Sequence, residues 1–244
     1  MVMNWTELRK LVALKVHTLL YGPPGTGKTT VAMNPRALSI TLTAETPAAE
    51  LRGHYIPKGN EFIWQDGPAI TAWRQGLCLV LNEIVEASGD ALTFLYALLD
   101  DPKMARITLP TGETVTPAPG FYCVATMNGQ PMDLPPALLD RFMARVYVDE
   151  PSTEALEGVS LMNSVIDTLH VVEMDRKITL RQAKGFDYLA QRLGGELASK
   201  AVFGKRHAEI LNTLKIAQAP LPAGETPVKR GPGRPLKSSY ATGV

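Results

Sequence analysis

Nine consecutive residues, Gly22-Pro23-Pro24-Gly25-Thr26-Gly27-Lys28-Thr29-Thr30, have the types and spacing to grip a polyphosphate. They fit the pattern G-x-x-x-x-G-K-S/T. The glycines let backbone N–H groups close around phosphate oxygens at a helix N-terminus, where the dipole also favours an anion. The pattern puts Lys28 in reach of the β- and γ-phosphates and lets the Thr29 hydroxyl hold Mg²⁺. The plainer alternative is a Gly/Pro turn that happens to carry a lysine. Against it stands the context, a β-rich apolar run at 16–20 before the loop and a helix-compatible stretch at 29–33 after it.

Four further polar groups fall where strands or helices would bring them toward such a loop. Asn82-Glu83 directly follows the apolar run 77–81, so the Glu83 carboxylate can act on a water beside the γ-phosphate as general base or orienting group. A surface glutamate after a strand is its alternative. Asn128 follows the run 122–127, and its amide can bond the attacking water or the γ-phosphate, although Asn-Gly also makes common turns. Arg141 lies in Leu138-Leu139-Asp140-Arg141-Phe142. At a subunit edge it could neutralise charge on a neighbour's nucleotide; an ordinary salt bridge to Asp140 or another acid is the alternative, and Arg145 is a second candidate for the first role. Arg181 opens a helix in Ile178-Thr179-Leu180-Arg181, where it either touches the γ-phosphate and couples nucleotide to the angle between domains or is simply solvated.

The elements that must position these groups read as follows. Residues 4–14 predict a helix, 38–43 a strand, 45–51 a short helix, and 54–64 two extended pieces around Lys58-Gly59-Asn60. Gly67-Pro68 opens a helix to Gly76, and 90–99 predicts another. Residues 107–115 predict a hairpin. Residues 77–81 and 121–126 are continuous apolar runs, as expected for parallel strands buried on both faces, and 145–148 makes a last strand. Strands alternating with helices after a phosphate loop argue for a parallel α/β sandwich, with ligands beyond the carboxyl ends of its strands. Past Pro151 the strand signal vanishes and helices are predicted at 179–194 and 204–217. The expected organisation is a core at 1–150, a helical domain at 151–217 and a disordered basic tail at 218–244.

With 45% hydrophobic and 20% charged residues and a net charge of +1, the composition is that of an ordinary globular chain and offers no general case for nucleic-acid binding. The charge is uneven, however. From residue 218 onward four basic residues face one acid, a net of +3, which leaves −2 for the remainder. Cys78 and Cys123, the only cysteines, each sit in an apolar run and read as buried thiols. No signal-peptide layout or membrane-length apolar run is present, so a cytoplasmic, membrane-free protein is expected.

Taken together, these residues resemble the AAA+ ATPases, and among them the MoxR-like group related to McrB-type and chelatase-type ATPases. Residues 22–29 match the group's Walker A, 77–83 its Walker B, 124–128 its sensor 1, 138–142 the arginine-finger segment and 179–181 its sensor 2. The resemblance spans roughly residues 15–215. It implies a P-loop NTPase αβα sandwich on a parallel five-stranded sheet, a small all-α lid, ATP and Mg²⁺ as cofactors, and a homo-oligomeric ring, commonly a hexamer, with nucleotide between subunits. The stretch 54–64 looks like the family's insert, which in a ring can face the pore. The implied activity is ATP hydrolysis driving chaperone-like remodelling of an unidentified protein substrate or adaptor.

The sequence departs from this group in one residue that matters. Walker B ordinarily ends Asp-Glu, whereas Asn82 stands here in the metal-holding position with Thr29. A neutral amide oxygen should weaken Mg²⁺ binding while leaving Glu83 as base, so an active but slow ATPase is expected. A slow-turnover, nucleotide-dependent regulatory module is the alternative. The tail segment 229–237 carries Gly233-Arg234-Pro235 with basic flanks, similar to an AT-hook that lies in the minor groove, but Pro232 replaces one groove-reading arginine. It keeps open a DNA-associated AAA+ motor or loader tethered by that tail, beside the plain reading of a solvated basic linker.

Overall fold

The computed structural model describes residues 3–87, 89–149, 151, 159 and 178–218. In chain order its elements begin α1 (Trp5–Ala13), β1 (Thr18–Tyr21), α2 (Lys28–Ala32), β2 (Leu38–Thr41), α3 (Ala48–Arg52), β3 (Gly53–Lys58) and β4 (Glu61–Asp66). They continue α4 (Pro68–Gln75), β5 (Cys78–Asn82), α5 (Gly89–Leu98), β6 (Ile107–Thr108), β7 (Thr114–Val115), β8 (Tyr122–Met127), α6 (Pro136–Leu139) and β9 (Ala144–Tyr147). Three helices follow, α7 (Leu180–Leu193), α8 (Gly195–Phe203) and α9 (His207–Gln218).

Five strands form one parallel sheet in the order β2-β5-β8-β1-β9. Strand alternation builds a core on each face. Leu19, Leu79, Leu81, Cys123, Ala125 and Met127 point to one side, where Trp73, Leu95 and Phe142 from the α3–α6 layer and its loops meet them. Leu20, Cys78, Val80, Tyr122, Val124 and Val146 point to the other, covered by Leu8 and Val12 of α1 and Ala32 of α2. The result is an αβα sandwich of the P-loop NTPase kind with a small all-α lid.

Local chemistry sets the element ends. Asn4 and Glu7 form a reciprocal capping box at the start of α1. α2 stops after five residues, because Pro35 cannot continue a helix and disfavours helical geometry at Asn34. Pro68 occupies the first turn of α4, and Gly76, with φ +61°, ends it. The strand expected at 38–43 ends at Thr41, and the helix expected from 45 begins only at Ala48. Between them Thr43 and Thr46 close a turn, the Thr43 N–H donating to Thr46 Oγ1 (2.9 Å), and Pro47 caps α3.

β3 and β4 make the expected antiparallel hairpin, with Lys58 opposite Glu61. β6 and β7 make the second. Arg74 of α4 ties the two together, donating to Asp66 (2.7 Å) and in a two-pronged contact to Glu113 (2.6 and 2.7 Å), which holds the Glu113 carboxyl below its usual range.

The lid helices pack around Ala183, Phe186, Ala198, Phe203 and Ile210. A capping box between Thr179 and Gln182 starts α7. Gly194 then separates α7 from α8, a helix not singled out in the sequence, and the stretch expected as one helix at 204–217 opens as a single 3₁₀ turn before α9. Glu150, residues 152–158 and 160–177, on which the expected join at 150–152 falls, and the tail 219–244 with its basic segment 229–237 lie outside the described residues. Among the described residues no helix is long and apolar enough to cross a membrane.

Candidate functional site

Residues 22–30 join β1 to α2 at the carboxyl edge of the sheet. Two glycines there have no substitute. Gly22 has φ +136°, and a Cβ on it would fall 2.4 Å from the Val148 carbonyl oxygen. Gly25 has φ +77°, and its Cβ would fall 2.7 Å from Cβ of Thr179, so the lid rests directly on the loop.

Lys28, the first residue of α2, is buried, and its Nζ donates to the carbonyls of Gly22 (2.9 Å) and Pro23 (2.7 Å) and to Asn128 Oδ1 (3.1 Å). Burial pushes its pKa down to about 8, against the opposing pull of the Glu83 charge. Asn128 passes the connection on, its Nδ2 donating to both carboxylate oxygens of Glu83 (3.0 and 3.1 Å). Glu83 itself sits just past β5 at φ +54°, a left-handed conformation uncommon for a side chain of its kind and one often kept at functional sites.

Asn82 ends β5 with its Oδ1 accepting from Thr29 Oγ1 (2.8 Å) and Thr126 Oγ1 (3.2 Å), while its Nδ2 donates to Ser39 Oγ (2.9 Å). Thr29 and Asn82 thus set two oxygen donors side by side, a set that fits Mg²⁺ in kind, though without the carboxylate charge. Among the described residues no group of three His, Cys, Asp or Glu side chains could hold a metal by itself.

Beside Asn82 opens a cavity of ≈ 430 Å³ bounded by residues 24–30, Glu83, Thr126, Asn128, Leu180, Arg181 and Lys184. Three cations, Lys28, Arg181 and Lys184, face one anion, Glu83, a balance suited to a polyanion. The structure therefore gathers the loop, Asn82, Glu83, Asn128 and Arg181. Three neighbours were not singled out in the sequence. Thr126 was detectable as the one aliphatic hydroxyl in the apolar run of β8, and Lys184 as the cation one turn beyond Arg181. Ser39 carries no sequence signal of its own.

Arg141 is not in this cavity. Its Nε donates to the Tyr96 carbonyl (2.8 Å), an Nη1 N–H donates to the Ala137 carbonyl, and its guanidinium lies 5.2 Å from the centre of the Tyr96 ring. These contacts replace the salt bridge to Asp140 that the sequence left open. Arg141 borders a second cavity of ≈ 660 Å³ near the amino end of β1, with Lys15, His17, Asp100, Asp101 and Asp140. His17 there is a structural residue. Its Nδ1 accepts the Cys123 N–H (3.0 Å), and burial pushes its pKa down to about 4, so it stays neutral. Arg145 is exposed on β9, the strand at the other edge of the sheet from β2.

The fold and the first cavity place the chain among the phosphate-loop NTPases. More narrowly, it belongs to the AAA domain family, dynein-related subfamily and MoxR-like in type, whose model matches residues 17–142. Over 183 residues it is 35% identical to protein NorQ of Paracoccus denitrificans, covering 69% of this chain and 66% of NorQ. Over 159 residues it is 31% identical to the denitrification regulatory protein NirQ of Stutzerimonas stutzeri, covering 61% of this chain and 57% of NirQ. Over 193 residues it is 31% identical to midasin of Giardia intestinalis, covering 73% of this chain but 4% of midasin. The chain thus spans two thirds or less of the length of each of these relatives.

Proposed function

We propose that the chain binds MgATP in the cavity between the loop and α7, hydrolyses it, and works as a MoxR-like, ring-forming remodeller of a partner protein. The observation that carries this reading is the unbroken series Lys28–Asn128–Glu83, which links the phosphate-gripping cation to the carboxylate through one amide. Lys28 binds the β- and γ-phosphates. Glu83 takes the proton of the attacking water, and Asn128 orients both groups. Thr29 and Asn82 would hold Mg²⁺, which when bound supplies positive charge at the phosphate oxygens. Arg181 reaches down from the lid. Arg141, remote from its own chain's cavity, serves the nucleotide of a neighbouring subunit in a ring, for which a hexamer is the expected size.

The first test is proton linkage. Free Lys28 has a pKa of about 8, and phosphate favours its charged form. ATP affinity is therefore highest below that pH and falls as pH rises through it, with binding taking up a proton on the alkaline side. Calorimetry at pH 8.5 in two buffers of different ionisation heat should give different apparent enthalpies. Identical enthalpies would show that Lys28 does not change charge on binding.

A slow-turnover regulatory module is the second reading, favoured by the neutral Asn82 and by the name borne by NirQ. Asn82→Asp adds a charge to the metal donors and should tighten Mg²⁺ on the order of tenfold, as for one charge-assisted contact. If the hydrolysis rate then rises steeply, the natural site is tuned down and the regulatory reading gains. If only Mg²⁺ affinity moves, the remodeller reading stands.

A further inference from the structure

We propose that Lys184 is a second lid cation for the bound polyphosphate, acting with Arg181 so that nucleotide is held with little help from Mg²⁺. The inference rests on the nucleotide reading above. Arg181 and Lys184 stand three residues apart on α7 and so share one face, opposite the face whose Ala183 and Phe186 fill the lid core. Both line the phosphate-loop cavity. Both side chains are exposed, and among the described residues no carboxylate pairs with either.

The contact between Thr179 and Gly25 fixes the start of α7 on the loop, so this charged face is held over the cavity and not beside it. A cation kept unpaired above an anion site, rather than neutralised by a neighbouring acid, is positioned to interact with the ligand. The site also has a deficit that such a cation answers. Asn82 would hold Mg²⁺ with less charge than a carboxylate, so when the metal is weakly bound more of the polyphosphate's charge falls to the protein to balance. Lys28 and Arg181 with Lys184 offer three positive charges, against the single negative charge of Glu83.

The test measures ATP, ADP and AMP binding to the full chain by calorimetry, in excess EDTA and again in Mg²⁺. The wild type should bind ATP nearly as well in EDTA as in Mg²⁺. Lys184→Ala should lose ATP affinity on the order of tenfold in EDTA, as for one charge-assisted bond. It should lose less in Mg²⁺ and leave AMP unchanged, and Lys184→Arg should restore ATP binding. A merely structural lysine would shift all three nucleotides alike. ATP affinity in EDTA that is unchanged within twofold in Lys184→Ala overturns the proposal while leaving the nucleotide site intact. A wild type that binds ATP only with Mg²⁺ overturns it too. A wild type that binds no nucleotide in either condition removes the site reading itself.

Discussion

Arg141→Ala will bind ATP as tightly as the wild type and hydrolyse it on the order of 10³-fold more slowly, the loss seen when an arginine finger is removed. The basis is placement. Phe142 is 2% exposed and anchored in the main core, where truncating a buried Phe costs about 3–5 kcal/mol. It fixes the neighbouring Arg141 at the surface, and the Tyr96 and Ala137 carbonyls with the Tyr96 ring hold the guanidinium in one pose. Two of its five N–H donors are used in this way, which leaves others to present outward. Arg141 does not line its own chain's phosphate-loop cavity, so under the proposed ring its effect on hydrolysis is expected across a subunit boundary. Mixing Arg141→Ala with Lys28→Ala subunits should then partly restore activity, since some interfaces pair an intact loop with an intact arginine. No restoration at any ratio would place the effect within one chain. Wild-type rates in Arg141→Ala alongside a slow Arg145→Ala would move the role to β9.

Lys28→Ala should lose ATP affinity by about 10²–10⁴-fold, the loss of two charge-assisted contacts to phosphate at roughly 1.5–3 kcal/mol each. Lys28→Arg should not rescue it. The ammonium occupies a narrow buried slot, within 2.7–3.1 Å of the Gly22 and Pro23 carbonyls and Asn128, and a planar guanidinium cannot bring its donors into the same slot. Equilibrium binding of a fluorescent ATP analogue measures both variants. Affinity within tenfold of wild type in Lys28→Ala would mean that the loop backbone alone holds the phosphates.

Much of this site was legible in the residues because its signals are local. The loop is a contiguous pattern, and the positions of Glu83 and Asn128 follow from apolar runs of the kind expected for strands buried on both faces. What the sequence hid are contacts that cross elements. Ser39 reaches Asn82 from the neighbouring strand, and nothing in Leu38-Ser39-Ile40-Thr41 announces it. Arg141 could be placed in its segment, but its partners are backbone carbonyls, which every residue has, so an acid next door was the natural expectation. Pro47 postponed α3 and let Thr43 and Thr46 form a turn, a case of turn chemistry overriding helix propensity. The break at Gly194 was visible as Gly194-Gly195, yet only packing against Phe186 makes 195–203 a helix of its own.

The claim that this chain hydrolyses ATP through Glu83 is tested most directly by single-turnover assay of wild type and Glu83→Gln with radiolabelled MgATP, the products being separated after quenching. The substituted amide keeps an oxygen for the Asn128 N–H groups but cannot accept the water's proton. The prediction is ADP and phosphate from the wild type, and intact ATP retained by Glu83→Gln, with a rate lower by about 10²–10⁴-fold. ATP left intact by the wild type, or cleaved by Glu83→Gln within twofold of the wild-type rate, would contradict it.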